Sequence, residues 1–195
     1  MPEASAASSL PGLSAPSASF EVPLEMLSAC HGRVQAQCQT LQRLLPHVAG
    51  HGADRAAQEA ASAVMRYFDT AAVHHHADEE VDLFPALIES MAGSDAVCLR
   101  GMTQALAAEH RELERRWQRV RAGLQAIVTG DASRLLADDV QGFVDHYAQH
   151  IAREEAELLP MARRLLGDAE LDAIGRAMRA RRGLADPPFP DLSAT

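Results

Sequence analysis

The residues best suited to chemistry lie in two near-copies of one pattern, 75 residues apart. The first reads His75-His76-Ala77-Asp78-Glu79-Glu80-Val81-Asp82-Leu83-Phe84-Pro85. The second reads His150-Ile151-Ala152-Arg153-Glu154-Glu155-Ala156-Glu157-Leu158-Leu159-Pro160. Each holds a histidine, a glutamate four residues on, a second glutamate beside it, then an apolar pair and a proline. Four residues is about one helical turn, so each histidine and its glutamate share a helix face, stacked roughly 6 Å apart. A nitrogen and a carboxylate presented side by side, twice, are the raw material of a two-metal site.

Those donors need elements to hold them, and apolar periodicity supplies the elements. A first helix stripes through Leu24, Leu27, His31, Val34, Cys38, Leu41 and Leu45, with Pro23 in its first turn. A second, about Ala53 to Met91, runs Ala61, Val64, Phe68, Ala71, His75 and Glu79. A third, about Ala96 to Val128, runs Leu99, Leu106, His110, Leu113, Trp117, Val120, Leu124 and Ile127. A fourth, about Ala132 to Leu166, runs Leu136, Phe143, Tyr147, His150, Glu154, Leu158, Met161 and Leu165. Each long helix therefore puts one histidine on its apolar stripe, and two add a glutamate one turn later. Short connections near Gly93-Ser94 and Gly130-Asp131 make neighbours antiparallel. The fold expected is an all-α, up-down-up-down four-helix bundle over residues 21–167. A short fifth helix, about Ala169 to Arg182, and a proline-rich end (Pro187, Pro188, Pro190) follow. Counting from the turns sets His75, His110 and His150 at one height. His31 fits less cleanly. Either the first helix continues past Pro46 to about Ala49, or the segment from Pro46 to Ala53 spans the difference.

Bulk properties narrow the class. A chain of 195 residues fits one domain with a sizeable core. A formal net charge of -9 argues against nucleic-acid binding, which needs a basic surface. No apolar run approaches the roughly 20 residues that span a bilayer. Met1 to Phe20, rich in Ala, Ser and Pro, reads as a disordered tail without the features of a secretory signal. Cys30, Cys38 and Cys98 form an odd set with no metal-type spacing. Cys30 and Cys38 lie about 12 Å apart along one helix, too far to bridge, and a reducing cytoplasm is the expected setting.

Four imidazoles and two carboxylates at one level inside a bundle are hard to accommodate as ordinary core. A buried carboxylate without a partner is costly, and no lysine or arginine lies on these stripes near Glu79 or Glu154. Metal cations would neutralise both. The candidate ligands are His31, His75, Glu79, His110, His150 and Glu154. With six protein ligands two ions share the site, the glutamates bridging and the histidines divided between them. Mixed nitrogen and oxygen donors suit iron, with manganese the alternative and copper or zinc able to occupy such a set. The lack of thiolates argues against structural zinc or an iron-sulfur cluster. Glu80 and Glu155 sit about 100° round from the ligand glutamates, as outer or solvated carboxylates. His146, one turn before His150, is a candidate extra ligand that competes with Tyr147 for the stripe. His74 and His76 should point toward helix interfaces or solvent, and His47 and His51 look incidental.

These residues resemble the hemerythrin-like proteins with an HHE cation-binding domain. The resemblance rests on His31, on HHHADEEVDLFPAL, on AAEHRELE with His110, and on HIAREEAELLP, and covers about Val22 to Leu166. It implies a four-helix bundle around a non-haem di-iron centre whose ligands are the same six residues. Four histidines with two glutamates look more like that branch than the five-histidine oxygen carriers. The branch that repairs iron-sulfur centres usually carries an N-terminal cysteine-bearing domain, and Met1 to Phe20 has no cysteine.

The function expected is binding of, or reaction with, a small diatomic or peroxide (oxygen, nitric oxide or hydrogen peroxide) in sensing, storage or stress defence. A di-iron oxidase or peroxidase is the enzymatic alternative. A ferritin-like oxidase would use Glu-x-x-His spacing and more glutamates, so a binding protein is favoured over a turnover enzyme. An interaction module whose metal only sets the fold is the third reading.

Overall fold

Four long helical rods and a shorter fifth helix form the computed structural model, which describes residues 19–91 and 94–185. Most of the expected N-terminal tail, Gly93 of the second turn, and Pro187, Pro188 and Pro190 lie outside the described residues. No strand occurs among the described residues.

Helix α1 spans Pro23–His51, with Pro23 in its first turn. It runs through Pro46 instead of ending there, which resolves the level of His31. A proline inside a helix removes one hydrogen bond, to the carbonyl four residues back. Pro46 and Gln42 are both exposed, so the deprived carbonyl lies on the solvent side. Gly52, at φ 69°, then turns the chain. Helix α2, Arg55–Ala77, starts at Asp54, whose side chain accepts the Ala57 N–H.

The second and fourth rods each contain a widened turn that periodicity does not show. A π turn, Asp78–Leu83, joins α2 to α3, Phe84–Glu89. A second, Glu154–Leu158, joins α5, Ala137–Arg153, to α6, Leu159–Leu165. The cause lies in Pro85 and Pro160, whose rings would meet the carbonyl four residues back in a regular helix. The wider turn relieves this: the Phe84 N–H donates to the Glu79 carbonyl and the Leu159 N–H to the Glu154 carbonyl, each five residues back.

Helix α4 covers Ser94–Val128. The fourth rod begins later than its stripe implied. Asp131 accepts the Ser133 N–H and starts a short 3-10 turn, Ala132–Arg134. Leu135 and Leu136 are then extended, so Leu136 is 56% exposed and Leu135 fills the core place. Gly123 permits this approach, since a Cβ there would lie 2.9 Å from the Leu135 Cα. Helix α7, Asp168–Arg181, closes the described chain.

Helix α1 packs on α2 and α5, and α4 packs on α2 and α5, the square of an up-down-up-down bundle. Its apolar core is divided in two. One part gathers Val34, Leu41, Phe68, Trp117, Leu124 and Phe143, the other Leu27, Leu83, Leu87, Leu106, Leu158 and Met178. The buried polar side chains His31, His75, Glu79, His110, His150 and Glu154 come from helices that pass from one part to the other.

Candidate metal centre

One histidine from each of α1, α2, α4 and α5 meets the two π-turn glutamates inside the bundle. All six are buried, and Glu79 and Glu154 are 0% exposed. Their donor atoms fall into two groups, each within 4.8 Å. His31, His75, Glu79 and Glu154 form one, and Glu79, His110, His150 and Glu154 the other. Both glutamates belong to both groups. Glu154 lies 3.1 Å from His31 Nε2 through Oε2 and 3.1 Å from His150 Nε2 through Oε1. Glu79 lies 3.5 Å from His75 Nε2 through Oε1 and 3.4 Å from His110 Nε2 through Oε2.

The outer nitrogens are tied down by carboxylates from other helices. His31 Nδ1 lies 2.6 Å from Glu155, His110 Nδ1 2.7 Å from Glu80, and His150 Nδ1 2.9 Å from Glu109. Each contact fixes the ring and leaves Nε2 facing the cluster, the usual outer support of a metal-binding imidazole. Glu80 and Glu155 thus act from behind the histidines. Glu109, one residue before His110 and held also by Arg153, carried no sequence signal because its partner is on another helix. His75 differs: its Nδ1 is buried with no hydrogen-bond partner among the described residues.

The electrostatics are those of a site with its charge unbalanced. Burial opposes a charge on His31, but Glu154, then Glu155 and Glu79, outweigh it and lift the ring to about 9. Burial likewise opposes a charge on His110, yet Glu154 and Glu79 raise it to about 10. Burial, with three neighbouring imidazoles, drives His75 down to about 3 against the pull of Glu154. Burial and the charge of Glu154 push Glu79 up to about 7. Burial opposes a charge on Glu154, yet the facing imidazoles of His110, His150 and His31 outweigh it and keep the carboxyl well below the carboxylate range.

The donor chemistry fits metal ions. Both oxygens of Glu79, both of Glu154, and His31 Nε2 are buried without a satisfactory hydrogen-bond partner among the described residues. Unpaired buried carboxylates are costly, and cations among these atoms would remove that cost.

The sequence-predicted set is thus brought together in full. His146 is in neither group, and Tyr147 takes its place on the stripe. His76, expected at a helix interface or in solvent, lies at the interface of α2 with α4, flat on the His110 ring with centroids 4.0 Å apart. It forms a further group with His110 and His150. His74, His47 and His51 are outside all of these groups.

Outside the six candidate ligands, Asp78 is 0% exposed and is bridged by Arg181 and Arg182 near the end of α7. Arg181 also bonds Asp82 at 2.7 Å, so α7 fastens the first π turn.

Comparison with known proteins agrees with this geometry. The model of the hemerythrin family, described as the hemerythrin HHE cation binding domain, matches residues 22–162. The chain belongs to that family. It is also 30% identical to an uncharacterized protein of Haemophilus influenzae over 165 residues, 85% of this chain and 92% of that protein. No described helix is long and apolar enough to cross a membrane.

Proposed function

We propose that this chain is a non-haem di-iron protein of the cytoplasm that binds or reacts with oxygen, nitric oxide or hydrogen peroxide. The observation that carries the reading is the pair of four-donor groups sharing Glu79 and Glu154. His31 and His75 would hold one iron and His110 and His150 the other, with both carboxylates common to the two. Two nitrogen and two carboxylate donors per ion leave positions open, as suits iron better than a closed structural site. When bound, the pair of irons supplies an open position for a small ligand and electrons for its reduction. The protein's own part is to fix three of the four imidazoles, His31, His110 and His150, by Glu155, Glu80 and Glu109, and to exclude water with the apolar parts above and below.

The test is iron content per chain on anaerobically purified protein, then visible absorption as oxygen is added and removed. Two irons and a reversible charge-transfer band are expected. Irreversible oxidation with peroxide turnover would identify a redox enzyme, and a metal-free chain would overturn the reading. Glu79→Ala and Glu154→Ala should each lose most of the metal, since each carboxylate serves both groups. Retention of two irons in both variants would remove the bridging assignment.

A further inference from the structure

A narrow cleft between α2, α4 and α5 leads toward the centre. Its walls are Phe68, Ala72, Leu113 and Trp117, all buried, and His76 and Tyr147 also line it. Val73, 50% exposed, and the exposed Glu114 mark its outer end. The cavity measures about 20 Å³. That is little more than one water-sized sphere, room enough for a water or a diatomic. The apolar walls select against charge, and the Glu114 carboxylate repels anions.

His76 connects this cleft to the centre. One of its ring nitrogens lies within 4.8 Å of donor atoms of His110 and His150. Its ring is nevertheless parallel to that of His110, with 10° between the planes at 4.0 Å. An imidazole holds an ion in its own ring plane, so two rings stacked this way do not share one ion. His76 is therefore a stacked neighbour of His110 beside the His110 and His150 pair, not a third donor. The Tyr147 hydroxyl, 3.3 Å from His76 Nε2, steadies it, and Tyr147 is in turn packed edge-on against Phe143.

We propose that an uncharged diatomic such as oxygen or nitric oxide reaches the His110 and His150 half of the centre through this cleft, where His76 positions it by a hydrogen bond. This rests on the di-iron reading, and the experiment separates the two. Trp117 is the single tryptophan of the chain, so in metal-free protein its fluorescence reports on this wall alone. Dissolved oxygen should quench it, and the plugging variants Ala72→Leu and Val73→Phe should each lower the quenching constant at least twofold. Val73 is on the surface, so Val73→Phe remains informative if Ala72→Leu fails to fold. In iron-loaded protein the same variants should slow nitric oxide association several-fold with iron content unchanged. His76→Phe keeps a ring against His110 but no hydrogen bond, and should leave iron content intact while speeding nitric oxide release by about tenfold. Equal quenching and equal association in wild type and both plugged variants would overturn the route. Unchanged release from His76→Phe, or loss of iron from it, would overturn the role of His76. A wild-type chain that takes up no iron overturns the di-iron reading itself, while the quenching result still decides whether oxygen enters the cleft.

Discussion

At the scale of single residues, the inward nitrogen of three histidines is selected from behind by Glu155, Glu80 and Glu109. The six candidate ligands were legible in the sequence because helical spacing stacks a histidine on a glutamate and the stripes bring four histidines to one height. Glu109 and His76 were not legible. Each lies off its own helix's stripe, and its partner comes from a different helix. The same groups set a pH dependence. Without metal, Glu154 and its carboxylate neighbours hold His31 at about 9 and His110 at about 10 against their burial, so both rings carry protons at neutral pH. A ring must shed that proton before its Nε2 can accept a metal, so protons and metal compete for one atom. Iron affinity should therefore rise as pH rises from 7 toward 10 and fall on acidification. Loading the metal-free protein at pH 7 should release protons, measurable by calorimetry in buffers of different ionisation enthalpy. Loading with no proton release would contradict this charge distribution.

At the scale of elements, the stripes located all five helical segments, but the two π turns escaped them. A π turn inserts a residue into a rod whose flanks still look α-helical, and the six residues of Asp78–Leu83 or the five of Glu154–Leu158 are hidden within a longer stripe. The signal was present in the spacing: each candidate ligand glutamate stands six residues before a proline, Glu79 before Pro85 and Glu154 before Pro160. Pro46 left two courses open for the first helix, and the structure takes the continuous one because an exposed proline can be carried by a helix that water supports. Deleting Val81, 62% exposed in the first π turn, should abolish the widened turn and press the Pro85 ring against the carbonyl four residues back. Far-ultraviolet circular dichroism should stay helical while bound iron drops by half or more, because Glu79 and Glu80 turn away from their partners. Full iron content in this variant would show that the widened turn is not what aims Glu79.

At the scale of the whole molecule, α7 does more than cap the bundle. Its end brings Arg181 and Arg182 to Asp78, the residue directly before Glu79. The sequence marked this helix as a unit but gave no sign of where it docks, since the contact joins residues about a hundred positions apart. Replacing both arginines by alanine strands a buried carboxylate, a change that typically costs about 3–5 kcal/mol. The double variant should show a clearly lower Tm, and adding Asp78→Ala should return part of the loss by removing the stranded charge. A double variant as stable as wild type would show that water reaches Asp78.

The reciprocal wiring of the glutamates speaks to ancestry. The α1–α2 hairpin lends Glu79 to the His110 and His150 group and Glu80 to His110, while the α4–α5 hairpin lends Glu154 to the His31 and His75 group and Glu155 to His31. Neither hairpin completes a four-donor group alone, and each hands the other the same two side chains from the same place in its motif. The chain thus has the form of two helical hairpins related by an approximate twofold axis, like a homodimer whose halves have been joined. The symmetry fails where Cys30 precedes His31 as Glu109 precedes His110, leaving His75 without an outer support, and again where His76 stands in the place of Ile151. The two halves are thereby chemically unequal, which is what a centre needs if one side is to receive a ligand and the other is not.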